Sequence, residues 1–424
     1  MAKNKIVAGI ELGSSKVATI IAQVAVDTVS LEKSINLIGV SSVESKGVKK
    51  GQIVDIEEAV ESVILSVEAA ERMAGYNLDS AYISLGGAHV VSQNSHGVVA
   101  VSDPNGEISV SDVDRVIEAA SAIQLPSSRE LIHVLPREFI VDGEAGVKDP
   151  IGMSGVRLEV QTHLITASAA SVKNIRKAMN EVGITVNELI FSGLAASEAV
   201  LTKTEKELGC VLIDIGGGTT SVATYVDGAL SYSTVFPVGA KNVTNDLAIG
   251  LRVSLESAEK IKLALSREEK KPKKAKDEKS DEFDLQSIGI DEIRKVSKRT
   301  LTEGIIRPRL NEIFSMVKLS LEKEGLSALI PAGAIITGGG AETVGVIDSA
   351  RRTLLLPVRV GVPRGIGGLI DDVIEPSFAT PVGLIAYAVS REPEESLTSF
   401  GKKFKLPTKG LFGKLLETVK DLLP

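Results

Sequence analysis

The stretch from Gly209 to Phe236, GCVLIDIGGGTTSVATYVDGALSYSTVF, constrains this chain more than any other. An apolar strand, Cys210 to Ile213, ends in the acid Asp214 and runs into three glycines, Gly216, Gly217 and Gly218. Two hydroxyls, Thr219 and Thr220, lead into a second β-rich run, Ser221 to Val226. Asp227-Gly228 then supplies a type I′ turn, so Leu230 to Phe236 reads as a third strand. Glycines at a strand-to-strand turn let backbone N–H groups approach a phosphate with no Cβ between them. A neighbouring carboxylate suits hydrated Mg2+, which takes one or two carboxylates together with phosphate oxygens. Taken alone, the stretch also reads as an ordinary β-hairpin with a glycine bulge.

A weaker copy near the N-terminus changes that balance. Ile6 to Ile21, IVAGIELGSSKVATII, is again an apolar strand, an acid (Glu11), a glycine (Gly13), hydroxyls (Ser14, Ser15) and a β-rich return. Glu11 pairs with Asp214, Gly13 with Gly216, and Val17-Ala18-Thr19 with Val222-Ala223-Thr224. Two such hairpins point to a duplicated domain gripping a nucleotide from both sides. Acid-x-Gly-Ser/Thr hairpins in both halves resemble the actin, Hsp70 and sugar-kinase superfamily. The chain holds neither a GxxxxGK[ST] motif nor a strand-coupled GxGxxG, so P-loop and Rossmann readings drop out.

Composition sets the bounds. The 424 residues, 43% hydrophobic and 24% charged, predict a soluble protein of several domains. A net charge of −7, no Trp and 3% aromatics argue against nucleic acid as a partner. The single cysteine, Cys210, lies within an apolar strand and fits a reducing cytoplasm. An N-terminal leader and a long apolar span are both absent from the pattern.

Between the two hairpins, Leu37 to Val43 reads as a strand and Ile56 to Met73 as an amphipathic helix capped by Asp55. Residues 81–165 then form an α+β insert. Its expected strands are Tyr82 to Leu85, Gly97 to Ser102, Ile132 to Val141 and Val156 to Ile165, and its expected helix is Asp112 to Ile123. The four histidines, His89, His96, His133 and His163, lack metal-ligand spacing and read as structural. The insert's wording is specific: SLGGAHV at Ser84, GVVAVS at Gly97, HVLPREFIVDG at His133 and DPIGMSGVRLEVQTHLIT at Asp149. With LIFSGLAASEAVLTKTEKELG from Leu189 to Gly209, these resemble the bacterial cell-division FtsA family over nearly the whole chain.

The resemblance implies an α/β, actin-like duplicated ATPase fold with an FtsA-type inserted α+β subdomain. The divisions would be 1–80 and 166–192 for core subdomain 1A, 81–165 for the insert 1C, and 193–239 with 310–370 for core subdomain 2A. Residues 240–309 would form the small subdomain 2B, 371–390 a helix returning to 1A, 391–409 a linker and 410–424 a terminal amphipathic helix. ATP and Mg2+ are the implied cofactors. Glu11 and Asp214 would order Mg2+-bound water, while Gly13, Ser14, Ser15, Lys16, Gly216, Gly217, Gly218, Thr219 and Thr220 would cradle phosphates. Glu259 and Lys262 share a helical face and would reach the ribose and adenine edge. Gly338, Gly339 and Gly340, after the strand Ala334 to Thr337, resemble the superfamily's adenosine loop. Relatives open the helix at Ser192 with Glu-Pro or place Gln in it; here Ser192-Gly193 opens it, which leaves Glu198 as the candidate hydrolytic base and slow hydrolysis at most.

Implied partners are FtsZ through its C-terminal peptide, further copies of the chain in a filament, other division proteins and lipids of the cytoplasmic membrane. Arg309, within IIRPRLNEIF, is the candidate receptor for the acidic FtsZ peptide. Arg267 to Glu282 carries thirteen charges in sixteen residues and reads as a disordered loop. Asp291 to Glu324 reads as one long helix broken near Arg307 by Pro308. At about 100° per residue, Leu411, Phe412, Leu415, Leu416, Val419, Leu422 and Leu423 fall on one arc, opposite Lys414, Glu417, Thr418, Lys420 and Asp421. Such a helix lies in a bilayer interface, which would place the protein peripherally on the cytoplasmic face of the membrane at the division site. The rival readings are a small-molecule kinase of the same fold and a PilM-like pilus assembly protein.

Overall fold

Alternation of buried residues explains the central strand first. In Cys210–Ile215, Cys210 and Leu212 enter a core shared with the first half, whereas Val211, Ile213 and Ile215 enter a second core. A strand buried on both faces reads as a continuous apolar run because neither side meets water. The computed structural model describes residues 5–26, 33–270, 281–290, 295–369 and 373–391.

The duplication is a repeat of topology. In the first lobe the sheet order is Thr185–Phe191, Ser80–Leu85, Lys5–Leu12, Lys16–Val26, Lys33–Glu44, with the short strand Gly367–Gly368 added parallel at the last edge. The second lobe repeats the first five as Val358–Val360, Ala334–Thr337, Cys210–Ile215, Thr220–Val226, Ala229–Phe236. In each lobe the first three strands run parallel and the last two are antiparallel returns of the central hairpin. Asp227 and Gly228 both have positive φ, 51° and 84°, as the expected type I′ turn requires.

The helix Ile56–Ala74 covers the first sheet with Ala59, Val63, Val67 and Ala70, and Asp55 caps it by accepting from the N–H groups of Glu57 and Glu58. Between the lobes the helices Ser192–Val200 and Ala379–Arg391 pack face to face, almost entirely buried.

The insert builds its own core from Ile108, Val116, Ala120, Phe139, Val141, Leu158 and Val160. Its strands Val91–Ala100, Arg157–Ser168, Arg129–Val141 and Glu144–Val147 continue the second lobe's sheet, joined to it by the single pair Val91 and Thr234. Side chains reinforce that joint. Ser92 Oγ donates to the Ser233 carbonyl at 2.6 Å, and the buried His163 contacts Asn94 Oδ1 at 2.7 Å and Ser233 Oγ at 2.9 Å. The insert thus interrupts the first half in sequence and docks on the second half in space.

Three expectations need correction. The strand expected to open the insert, Tyr82 to Leu85, is Ser80–Leu85 of the first lobe's sheet, paired between Lys5–Leu12 and Thr185–Phe191, so the insert begins after it. The start of the expected helix at Asp291 includes a strand, Lys295–Ser297, paired with Glu282–Asp284, then a π-helical segment Thr300–Ile306. The α-helix begins at Arg307 as a direct continuation of that segment, Arg307 N–H still donating to the Thr302 carbonyl, with Pro308 at the change from π to α. At the charged stretch, Arg267 to Lys270 prolong the helix Leu255–Lys270, and Glu282 opens a strand; residues 271–280 lie outside the described residues.

Candidate functional site

The same hydrogen bond closes both central hairpins. Gly13 N–H donates to the Lys16 carbonyl at 3.0 Å, and Gly216 N–H to the Thr219 carbonyl at 2.8 Å. Glu11 and Asp214 stand two residues before these glycines, so topology carries both acids to one place. They line a cavity of about 270 Å3 between the lobes, together with Gly13, Ser14, Ser15, Lys16, Gly216, Gly217 and Thr219.

Burial dominates the electrostatics. It raises the Glu11 carboxyl to about 7; Lys16 opposes this and Asp214 adds to it. Burial likewise raises Asp214 to about 6, against the Thr380 hydroxyl, which donates to Asp214 Oδ2 at 3.1 Å, and the charge of Lys16. Desolvation lowers Lys16 in turn. Lys16 Nζ lies 3.7 Å from the Phe378 ring centre, and neither it nor Glu11 Oε2 has a hydrogen-bond partner among the described residues. Such buried, unpaired polar atoms are expensive and mark a site that a ligand completes.

Glycines permit the close approach of the parts. A Cβ on Gly217 would fall 1.9 Å from Ser15 Oγ, and one on Gly218 2.8 Å from Ser14 Oγ. Gly338 has φ +80°, and a Cβ there would lie 2.2 Å from Asp214 Oδ1. Gly338 therefore packs directly against the acid and Gly340 against Ile215, and Gly338, Gly339 and Gly340 all line the cavity. From the small subdomain, Lys262 Nζ donates to Glu259 Oε2 at 2.8 Å and to Thr244 Oγ1 at 3.0 Å, and both members of the pair line the cavity. The helix Ala240–Leu251 is anchored to the hairpin, Ala240 N–H donating to the Gly216 carbonyl and Lys241 N–H to that of Gly217.

Some expected residues stand elsewhere. Gly218 and Thr220 are outside the lining; Thr220 Oγ1 donates to the Val238 carbonyl at 2.8 Å and secures the hairpin instead. Glu198 is a clear correction. Its helix meets the cavity at Ser192, and Glu198, six residues and roughly 9 Å further along the axis, pairs with Lys206 at 2.8 Å. Arg309 is already engaged, its Nε and Nη2 on the two Asp246 oxygens at 2.7 and 2.9 Å, with Glu312 beside it. The membrane residues Leu411 to Leu423 and the linker beyond Arg391 lie outside the described residues. Among the described residues no helix is long and apolar enough to cross a membrane, and no cluster of His, Cys, Asp and Glu forms a ready metal cage.

Sequence reasoning missed Ser84, Ser192, Ser221 and Thr380 in the lining. Ser84 was findable, because it ends an apolar strand before Gly86-Gly87 much as the acids end theirs. The Ser192 and Ser221 hydroxyls meet at 3.0 Å across the lobes, a contact no local pattern announces.

Residues 87–166 match the family model described as the SHS2 domain inserted in FTSA, and residues 211–383 that of cell division protein FtsA. Cell division protein FtsA of Pseudomonas aeruginosa is 36% identical over 390 residues, covering 92% of this chain and 91% of that one. The protein of that name from Borreliella burgdorferi is 37% identical, over 96% of this chain and 97% of its own. The Bacillus subtilis one is 39% identical, over 92% and 84%. Among solved structures, the PilM-PilN type IV pilus biogenesis complex superposes with a TM-score of 0.62 at 17% identity, covering 91% of this chain and 99% of that one. MreB 5 of Spiroplasma citri bound to AMPPNP gives 0.51 at 14% identity, over 94% and 99%. These last two likenesses are of fold.

Proposed function

Since the chain belongs to the FtsA family of cell-division proteins and has an actin-like fold with the FtsA insert, we propose that it binds ATP with Mg2+ between its lobes and tethers FtsZ filaments to the membrane while assembling into filaments of its own. The observation that carries the nucleotide reading is the pair of register-equivalent acids facing one cavity beside a lysine amine with no hydrogen-bond partner among the described residues. Those residues fit the group. Glu11 and Asp214 would hold the hydrated metal, Lys16 and the hairpin N–H groups the phosphates, Gly338 to Gly340 the base, and Glu259 with Lys262 the ribose. The metal, when bound, would neutralise phosphate charge; the chain's part is to orient the phosphates and exclude water. The lining presents serines, not a third acid, at the Ser192 end, which supports a slow hydrolyst at most.

Ligand stabilisation is the simplest test. At a hundredfold excess over Kd, ATP with Mg2+ should stabilise the fold by about 2.7 kcal/mol, read as a rise in melting temperature that EDTA reverses. An unmoved melting temperature at millimolar ATP speaks against the site.

For the partner surface, Arg309→Glu should abolish binding of the acidic FtsZ peptide while sparing nucleotide. Because Asp246 already holds the Arg309 guanidinium, Asp246→Asn should tighten peptide binding by freeing it. Equal peptide affinity in all three chains would remove Arg309 from the interface.

For the membrane, deleting Gly410 to Pro424 should shift the chain from the pellet to the supernatant with anionic vesicles at an unchanged melting temperature. Six lysines against two acids from Gly401 to Asp421 add about 1 kcal/mol each near an anionic surface. Continued pelleting, or early unfolding, would assign the segment to the protein's own core.

A further inference from the structure

Lys50 occupies a backbone position where lysine is costly. The short strands Val48–Lys49 and Gln52–Ile53 pair as a hairpin whose two-residue tip is Lys50-Gly51. Both tip residues have positive φ, +49° and +71°, the geometry that asparagine and glycine adopt more cheaply. A strained residue held by its surroundings points to a use for its side chain.

The tip lies where the two glycine hairpins meet. Gly51 lines the interlobe cavity and donates its N–H to Ser14 Oγ at 2.9 Å. A Cβ on Gly218 would come within 3.2 Å of the Lys50 backbone nitrogen, so the tip packs on the second hairpin as well. The Lys50 side chain is exposed, and among the described residues its amine makes no hydrogen bond or ion pair.

Charge balance then asks for another cation. Glu11, Asp214, Glu259 and Glu342 line the cavity against Lys16 and Lys262, and Lys262 is spent on Glu259 and Thr244. Lys241, the nearby alternative, donates to the Ser14 carbonyl at 2.7 Å. A triphosphate adds several negative charges to this acidic lining, more than the one Mg2+ that Glu11 and Asp214 would hold can offset.

We propose that Lys50 is a phosphate-contacting residue of this site, its amine reaching over the second glycine hairpin to the terminal phosphates of a nucleoside triphosphate. The strained tip packs the Lys50 backbone on the second hairpin beside Gly51, and the exposed side chain, outside the cavity lining of the free chain, would swing in when phosphate binds. The proposal rests on the nucleotide reading above and adds a third element to the two hairpins.

The test is a titration of the full-length chain, wild type and variants, with ATP·Mg and ADP·Mg, beside melting curves. Lys50→Gly and Lys50→Asn suit the turn better and remove the amine. They should melt at the wild-type temperature or above it, yet bind ATP·Mg about tenfold more weakly, with a smaller loss for ADP·Mg. High salt should narrow the gap. Lys49→Ser, one residue away on the same hairpin, should keep wild-type affinity. Unchanged ATP·Mg affinity in Lys50→Gly overturns the proposal, and so does a marked fall in its melting temperature, which would make Lys50 a part of the turn's own stability. If wild type itself binds no ATP, the nucleotide reading fails and this one with it, so the wild-type titration tells the two failures apart.

Discussion

Gly383→Val is expected to leave little folded protein. Gly383 lies in the helix Ala379–Arg391 where it crosses Ser192–Val200, and a Cβ there would lie 1.8 Å from the Ala195 carbonyl oxygen and 2.4 Å from its carbon. Those atoms are helix backbone, buried on all sides, and cannot turn aside as a side chain does. The two helices must separate, which opens the core between the lobes, so the loss should reach about 3 kcal/mol or more. Alanine at the same position should already cost much of this. Gly345→Ala provides the contrast: φ is +75° there, but nothing lies within 4 Å of the added Cβ. It should cost about 1 kcal/mol of backbone strain alone. Denaturant midpoints for the three chains decide the matter, and equal losses at the two sites would show that the helices yield.

Acid should destabilise the chain through two buried histidines. Burial, with a contribution from Arg391, pushes His133 down to about 3; burial, with Arg137 and His133, does the same to His163. The sign follows from the partners. His133 Nε2 accepts from Phe191 N–H at 3.0 Å, so the native ring is neutral, while the unfolded ring takes up a proton below its ordinary value of 6.5. Stability is therefore present above pH 6.5 and lost as pH falls towards 3, at about 1.4 kcal/mol per pH unit for each ring. Glu11 and Asp214 run the other way, since burial raises both: their contribution is full below the ordinary carboxyl range and fades as pH rises to about 7 and about 6. The free chain should thus change little between about pH 6 and 4.5, then lose about 1.4 kcal/mol per unit while Asp214 still offsets one ring down to its ordinary 3.8, and about 2.7 kcal/mol per unit below that. A His133→Gln, His163→Gln chain keeps amide partners for Phe191, Asn94 and Ser233, and should lose far less stability below pH 4.5. Parallel acid limbs in the two chains would assign acid unfolding to other groups, such as Glu205, held down at about 2 by Arg359 and Thr202 despite its desolvation.

What was legible in the sequence was local. An acid, a glycine and a β-rich return are contiguous, so both hairpins and their pairing of Glu11 with Asp214 could be read directly, and the strand register carried the two acids to one cavity. The Asp55 cap and the Asp227-Gly228 turn were readable for the same reason. Long-range pairing was not. Lys295 to Ser297 sits in a charged run that favours helix, and only its ladder with Glu282 to Asp284, across the intervening residues, makes it a strand. Glu198 failed on direction: its spacing along the chain placed it near the site, while the helix axis carried it away to Lys206. The docking of the insert on the second lobe depends on Val91 finding Thr234 and His163 finding Ser233, contacts between segments far apart in the chain.

Calorimetric titration of ATP·Mg into the full-length chain and its Asp214→Ala variant tests the central claim most directly. Asp214 is buried, touches Thr380 and backs on to Gly338, so its carboxylate has no exposed substitute. The wild type should bind one nucleotide per chain, and the variant should bind at least about tenfold more weakly, or 1.4 kcal/mol, at a melting temperature that still reports a folded chain. A folded Asp214→Ala chain that binds ATP·Mg with wild-type affinity would contradict the account.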